Sequence, residues 1–555
     1  MAASSIAVSP SALDVARATA AAIPAEVSTR PLLGILGVVT GAGLVTLTGR
    51  MLTLGLADLR GHVGIGFDNG AWLDSAYNAS LMFIGPFSVY LGGLLGPRRI
   101  LLFAAGLFTV TSIFLPFIHS YSLLVLALIV AGLTSGTFYP LTLTFALRNI
   151  PLRYLPLTIA LYATFVDGAV NIAPSLYGWY REHLSWHWMF WNSALIAPVM
   201  MMCIYFGIPP LRKKSAPVPS FIGFLYLSAG LALIFASLQQ GQRLDWWRSG
   251  VFNALFASGV FLLLCALVRR LLRGPNSLVA LSYLVKWNTI LLGSLLFWFR
   301  FTLCTTIILV PQALAIRGFE ADQIGPAILW SAVPLIPLAF TAGLLLLRKV
   351  DPRLLLAIGL GCTAFAAWLN SQYSTVWAAE NFYRTELLTG VGQGFAFIGL
   401  VGCIVLQAIF AGALAKPEWA LTFSAYFHTI RLFGGTAGAI YMGHFIAQRE
   451  KLHSNLLGLH VSSGNWITNQ NIHAMTAGLY ASSSGMAAAG ARAIDLIAAR
   501  LRLQAYSLSI IDGFLLISWS CACALIFVAL LRKSPLNYGD LRSMQEIPAP
   551  HKESN

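Results

Sequence analysis

Apolar runs of roughly twenty residues, each closed by a short polar or basic stretch, recur along the chain from residue 32 to residue 531. A helix rising 1.5 Å per residue needs about 20 residues to cross a hydrocarbon layer about 30 Å thick. A backbone in lipid must satisfy its own hydrogen bonds, so each run predicts a membrane helix. Fourteen spans are expected: 32–57, 71–95, 99–119, 121–145, 155–179, 186–207, 220–238, 250–270, 288–314, 325–347, 354–371, 387–411, 419–447 and 507–531. One connection is unlike the rest. Residues 448–506 form a long segment whose middle is polar and Gly/Ser-rich, but Ile494, Ile497 and Leu501 return at helical spacing, so the last helix is expected to begin well outside the membrane. This segment reads as a solvated hairpin or, alternatively, as a docking surface for a partner in the cell envelope.

Composition agrees with the pattern: 57% of residues are hydrophobic, 10% are charged and the mean hydropathy is +0.75, which excludes an ordinary soluble protein. The net charge of +15 is concentrated in alternate connections, including Arg98 and Arg99, Arg212 to Lys214, Arg269 to Arg273, and Arg348 to Arg353. Basic residues in short loops favour the cytoplasmic side, so both termini are expected there. The same distribution removes nucleic acid as a partner, because no basic cluster interleaved with aromatics stands in a soluble domain. Seven cysteines, all within apolar runs and without a CxxC pair, predict neither disulfides nor a metal. The first thirty residues lack the basic start and continuous apolar core of a cleaved signal and read as a short tail. No P-loop, HxxxxD, DxD or metal-ligand cluster is present, which disfavours a membrane-embedded transferase, and no cofactor is expected.

Several local signatures resemble the fourteen-span drug:proton antiporter group of the major facilitator superfamily. They are "GAWLDSAY" and "GGLLGPRR" around span 2, "APSLYGW" then "SWHWMFWN" after span 5, "LQQGQRLDWWRS" between spans 7 and 8, and "LLTGVGQGF", "RLFGGTAG", "REKLHSNLLGLH" and "QAYSLSIIDGF" further on. The resemblance implies an all-α polytopic membrane protein with the major facilitator fold: two six-helix halves plus an inserted helix pair. It divides the chain into a cytoplasmic tail (1–31), an N-terminal half (32–207), a linker with the inserted pair (208–287), a C-terminal half including the long outer loop (288–531) and a second tail (532–555). It also implies proton-coupled efflux of small amphipathic or aromatic toxic compounds across a bacterial inner membrane, with a periplasmic adaptor and an outer-membrane channel as further partners. A proton-independent facilitator and an importer of an organic anion are the alternatives.

Departures from that family affect the proton path. The usual acidic residue of span 1 is replaced by Thr48, with Arg50 two residues on; in span 4 Gly132 stands for a basic residue and Ser135 for glutamine. The ionisable groups left within the spans are Arg50, Asp74, Asp167, Arg300, Glu386, His428, Arg431 and Asp512. Asp74, Glu386 and Asp512 lie near outer ends, within reach of headgroups or water, whereas Asp167, Arg300 and Arg431 lie near the midplane. A charge there costs about 3 kcal/mol on insertion scales, so such residues are functional candidates.

Guanidinium keeps its proton under nearly all conditions, but leaving water favours the neutral form of a carboxyl group. Asp167 is therefore the first candidate for proton coupling, with Asp74 the second. A fixed ion pair and recognition of a substrate cation are the other roles open to Asp167. Arg50, Arg300, His428, Arg431 and Glu386 are candidates for substrate binding or gating. Arg50 and Asp74, at similar depth on adjacent spans, are expected to pair. Gly168, Pro174 and Gly178 in span 5, and Gly434, Gly435 and Gly438 in span 13, are candidate packing or hinge positions in the fifth helix of each half. Three arginines within the spans, two of them near the midplane, against one deep aspartate point towards acidic aromatic substrates.

Overall fold

The computed structural model describes residues 30–142, 154–208, 221–273, 284–410, 417–462, 464–534 and 537–538. The two expected tails, apart from residues 30, 31, 532–534, 537 and 538, lie outside these residues. So do the basic side chains of Arg148, Arg153, Arg212, Lys213, Lys214 and Lys416.

Among the described residues thirteen helices are long and apolar enough to cross a bilayer, and the fourteenth is Pro417–Gly458, whose polar and charged side chains lower its hydropathy. The chain is thus a multi-pass membrane protein. Spans 1 to 8 are Pro31–Leu54, Phe67–Leu95, Pro97–Phe114, Tyr121–Ser135 with a further turn to 142, Leu155–His183, Trp188–Gly207, Phe221–Gly241 and Gly250–Arg273. Span 9 is interrupted: Trp287–Thr302 is followed by a π-helical turn, Thr305–Leu309, and then Val310–Ala315. Span 10 also has two pieces, Ala321–Ala332 and Leu335–Leu347, divided at Val333 and Pro334. Spans 11 to 14 are Pro352–Asn370, Ala379–Phe410, Pro417–Gly458 and Met486–Leu530. The face at which span 1 starts is called the near face below and the opposite one the far face.

Most observed ends lie within a few residues of those expected from apolar run length. The largest differences are at the far face, where span 12 starts at Ala379, span 13 continues to Gly458 and the last helix begins at Met486. These extra turns are polar, so hydropathy does not register them although the hydrogen-bond ladder continues. With Trp466–Leu479 they build a helical projection in residues 448–506. Asn465 starts that short helix by accepting hydrogen bonds from the amides of Ile467 and Thr468. The buried contacts of the projection come from small residues, Ala489, Ala493, Thr468 and Thr476, while Ile494 is exposed.

Spans 1 to 6 form one half, with span 1 against spans 5 and 6 and span 3 against spans 4 and 6. Spans 9 to 14 form the other, with span 11 against spans 12 and 14 and span 9 against spans 12, 13 and 14. The halves meet where span 5 packs on spans 10 and 12, and where span 2 packs on span 13. Spans 7 and 8 pack on each other, with Gly230 and Gly259 allowing close backbone approach, and span 7 leans on span 2.

Polar side chains hold span 7 in place. Gln240 donates to the Ala71 carbonyl at 2.9 Å and to Ser75 Oγ at 2.6 Å, while Arg243 donates to Gln240 Oε1 at 2.6 Å and pairs with Asp68 at 2.9 Å. Gln240 is buried, so Gln240→Leu strands two acceptors away from water and should lower stability by about 1–3 kcal/mol, read as an earlier thermal unfolding midpoint.

Candidate functional site

Span 5 places Asp167 on a face with Thr164 and Asn171, three residues before and four after, a spacing that aligns side chains along one helix stripe. Both neighbours reach the opposite half. Thr164 Oγ1 donates to the Leu335 carbonyl of span 10 at 3.4 Å, and Asn171 Nδ2 donates to Gln393 Oε1 of span 12 at 3.4 Å. Asp167 is therefore at the seam between the halves. It is 1% exposed, and neither carboxyl oxygen has a hydrogen-bond partner among the described residues.

Two arginines act electrostatically on Asp167: Arg300 from span 9 and Arg431 from span 13. Neither forms a close ion pair with it among the described residues. Arg431 instead lies over the ring of Tyr139 in span 4, with its guanidinium carbon 3.6 Å from the centroid, a cation–π contact in a desolvated setting. Tyr162 packs against Tyr139 with ring centroids 5.4 Å apart, and their two hydroxyls face each other. Arg300 lies along the small face of span 13. A Cβ at Gly434 would meet the Arg300 Cβ at 3.2 Å, one at Gly435 would meet its guanidinium at 3.1 Å, and one at Gly438 would meet Phe301 at 3.2 Å. Those three glycines make room for the "FWFRF" face of span 9. In span 5, Gly168 has only an ordinary contact with Leu335 at 3.8 Å, and the helix runs unbroken through Pro174.

Arg50 of span 1 reaches span 9 as well, beyond Arg300 towards the far face. The expected Arg50–Asp74 ion pair is not formed. Arg50 donates to the Ile307 carbonyl at 3.3 Å, within the π-helical turn of span 9, where the wider turn disturbs the regular i→i−4 ladder. Asp74 is half-buried and accepts from Thr53 at 3.4 Å and from Gln239 of span 7 at 3.4 Å. Its position follows the attachment of span 7 to span 2, which brings an amide where an arginine was expected. Thr48 is buried, hydrogen-bonded to Ser193 of span 6 at 2.8 Å.

His428 is fully buried, its ring against Tyr139 at 5.9 Å and its Nε2 3.4 Å from the Leu81 carbonyl; Gly85 of span 2 leaves the space that its ring fills. Asp512 is paired at the far end of span 14 with Arg449 at 2.5 Å and His453 at 2.7 Å. Glu386, expected to reach headgroups or water, is 0% exposed instead, because span 12 is covered on both sides by spans 10 and 11. Tyr139, Tyr162, Thr164, Asn171 and Gln393 were not among the expected site residues. For Thr164, Asn171 and Gln393 the signal was a polar group at helical spacing from a charged one within an apolar run; Tyr139 and Tyr162 carried no such signal.

The seam is closed towards the far face by paired close approaches. A Cβ at Gly178 would lie 2.8 Å from Asp322 Cα, and one at Gly325 would lie 2.6 Å from Ser175 Cα. Nearby, Asp58 in the connection between spans 1 and 2 accepts a hydrogen bond from Tyr177 and lies 3.6 Å from Arg181, both on span 5. That connection also packs the His62 ring against His119 and Trp186, with centroids 4.5 and 4.9 Å away, and near His187 at 6.4 Å. Burial and the two neighbouring histidines lower the pKa of His62 below the ordinary 6.5. The folded state therefore resists its protonation, and the contact contributes stability above that value which is lost as pH falls below it. His62→Gln should flatten the acid-side decline in thermal stability; an unchanged decline would place its cause elsewhere.

The Major Facilitator Superfamily sequence profile matches residues 38–442. A "Probable multidrug resistance protein EmrY" from Escherichia coli (strain K12) is 25% identical over 443 residues, covering 77% of this chain and 82% of the relative. A "Multidrug export protein EmrB" from Haemophilus influenzae is 23% identical, covering 75% and 81%. A "Fatty acid resistance protein FarB" from Neisseria gonorrhoeae is 21% identical, covering 73% and 78%. The solved proton:xylose symporter XylE has a TM-score of 0.53 at 11% identity, covering 93% of this chain and 99% of that one. The human organic anion transporter MFSD10 gives 0.50 at 13%, covering 88% and 99%. These two likenesses concern the fold.

Proposed function

The chain belongs to the Major Facilitator Superfamily, and we propose that it exports small amphipathic or aromatic toxic compounds in exchange for protons, with Asp167 as the proton carrier. One observation carries this reading: a fully buried carboxyl group, without a hydrogen-bond partner among the described residues, stands at the seam of the halves within range of two arginines. Unpartnered burial favours its neutral form, and the arginines favour its charged form. Small movements of the halves change this balance, so proton affinity and access alternate together. The relatives named for multidrug export support the direction. In this reading the membrane is the bacterial inner membrane, both termini are cytoplasmic, and the far projection meets a periplasmic adaptor leading to an outer-membrane channel.

Arg300 and Arg431 both stand within electrostatic range of Asp167, so the formal charge of this group is positive whether or not Asp167 is protonated. Acidic amphipaths fit that field better than cations, and the name of the fatty acid resistance relative is compatible with such a cargo. The same positive group favours a second reading, a proton-independent carrier of organic anions. Purified protein in liposomes with an interior pH dye, screened with aromatic acids and cationic dyes, separates the two. Substrate-triggered proton flux supports antiport; counterflow with no proton movement supports the facilitator.

Arg300→Ala should weaken transport of acidic aromatics at least about tenfold while sparing cationic dyes, since a charge-assisted contact is worth about 1.5–3 kcal/mol. Equal loss for both classes would remove Arg300 from substrate selection.

A further inference from the structure

Span 12 carries a second buried carboxyl group, which the scheme above leaves idle. Glu386 stands seven residues into the helix that starts at Ala379, about 10 Å below its far end. It is 0% exposed, and neither oxygen has a hydrogen-bond partner among the described residues. Its polar neighbour is Asn370 of span 11, whose amide faces the carboxyl group but outside good hydrogen-bond geometry, and among the described residues no charged group acts on it. An isolated buried carboxylate is costly, so this side chain is held for a purpose other than an ion pair.

Continuing along the same helix face towards the near side, Thr389 and Gln393 follow at three and seven residues, both fully buried. Gln393 Oε1 accepts from Asn171 across the seam, and Asn171 is one turn beyond Asp167 on span 5. Gln393 Nε2 and Asn171 Oδ1 remain unpartnered among the described residues. Unpartnered polar atoms thus stand at both ends of about 10 Å of span 12, with the Thr389 hydroxyl between them, and continue one turn along span 5 to Asp167. Buried polar groups of this kind are where internal water binds.

We propose that Glu386 is a second proton-binding site, the far-face member of a relay that passes a proton to Asp167 along water oriented by Gln393 and Asn171. The inference rests on Asp167 as the proton carrier. A proton from far-side water adds to the Glu386 carboxylate. The Glu386 acid then gives it up through water to the Asp167 carboxylate, leaving Glu386 charged and Asp167 neutral. The two amides position the water and do not ionise. Because Glu386 is on the far-face side of Asp167, loading occurs from that face.

The test is a far-side pH jump on protein in liposomes, followed by infrared absorption of the carboxylic C=O groups. The proton itself is the probe, so no cargo is needed. In the wild type two buried carboxyl bands should respond, one before the other. E386Q should remove the early band and slow the later one by about 10²-fold, the usual size of a positioned proton transfer. Q393L should keep the early band and slow the later one. Both bands or the later rate unchanged in E386Q would overturn the relay. Loss of the later band in D167N identifies Asp167 independently; its retention there would sink the underlying reading rather than the relay alone. Should E386Q fail to fold, modification of the wild type by a hydrophobic carbodiimide decides: adducts at Glu386 support the site, and their absence rejects it.

Discussion

Asp167→Asn should abolish substrate-driven proton flux, lowering it by about two orders of magnitude or more, while leaving the folded protein and substrate exchange intact. Asparagine has nearly the size and shape of the neutral carboxyl group, so the neighbouring Thr164–Leu335 and Asn171–Gln393 hydrogen bonds should survive. What disappears is the ability to become negative between Arg300 and Arg431. Exchange of labelled for unlabelled substrate needs no net proton movement and should continue. The measurement compares the interior pH signal with isotope exchange in the same vesicles. Normal proton flux in a correctly folded variant would remove Asp167 from the coupling scheme.

The second large effect is expected at the far end of the seam. Gly325→Val places side-chain carbon where Ser175 Cα would be only 2.6 Å away, and the opposing approach of Gly178 to Asp322 prevents the helices from sliding past each other. Overpacking of this kind costs about 1–3 kcal/mol. If the cost falls only on the far-closed state, it shifts the balance between access states by about 5- to 150-fold. Spin labels at the exposed positions Glu182 and Glu320 should then report longer and broader distances than in the parent, with transport correspondingly reduced. An unchanged distance distribution with normal transport would mean that this contact does not gate the far side. Gly168→Ala is the control, since a Cβ there has only an ordinary contact and should be tolerated.

How much of this was legible beforehand depended on which physical signal each feature carries. The apolar runs located the fourteen helices, because a bilayer imposes length and hydrophobicity directly on sequence. The deep arginines and Asp167 stood out for the same reason: a charge inside such a run is costly wherever its neighbours are. Partners were less legible. The expected Arg50–Asp74 pair failed because helical depth says how far a residue lies along the membrane normal, not which helix it faces. Span 7 supplies Gln239 to Asp74, and the irregular turn of span 9 supplies a carbonyl to Arg50. Glu386 was misplaced by a related limit, since a far-end position can be wet or covered, and spans 10 and 11 cover it. Thr164 and Asn171 share a helical stripe with Asp167 but were not read as site residues, because their partners across the seam exist only in the packed halves.

The wide turn at Thr305–Leu309 has a consequence for protein engineering. Removing one residue there to regularise the helix would rotate everything beyond it by about 100° relative to what precedes it. Gln312, which accepts a hydrogen bond from Tyr506 of the last helix at 3.0 Å, would swing away from that partner while Arg300 stayed in register. Chimeras that splice this helix from a regular homologue must therefore carry the additional residue with it, or else exchange the last helix as a matched piece.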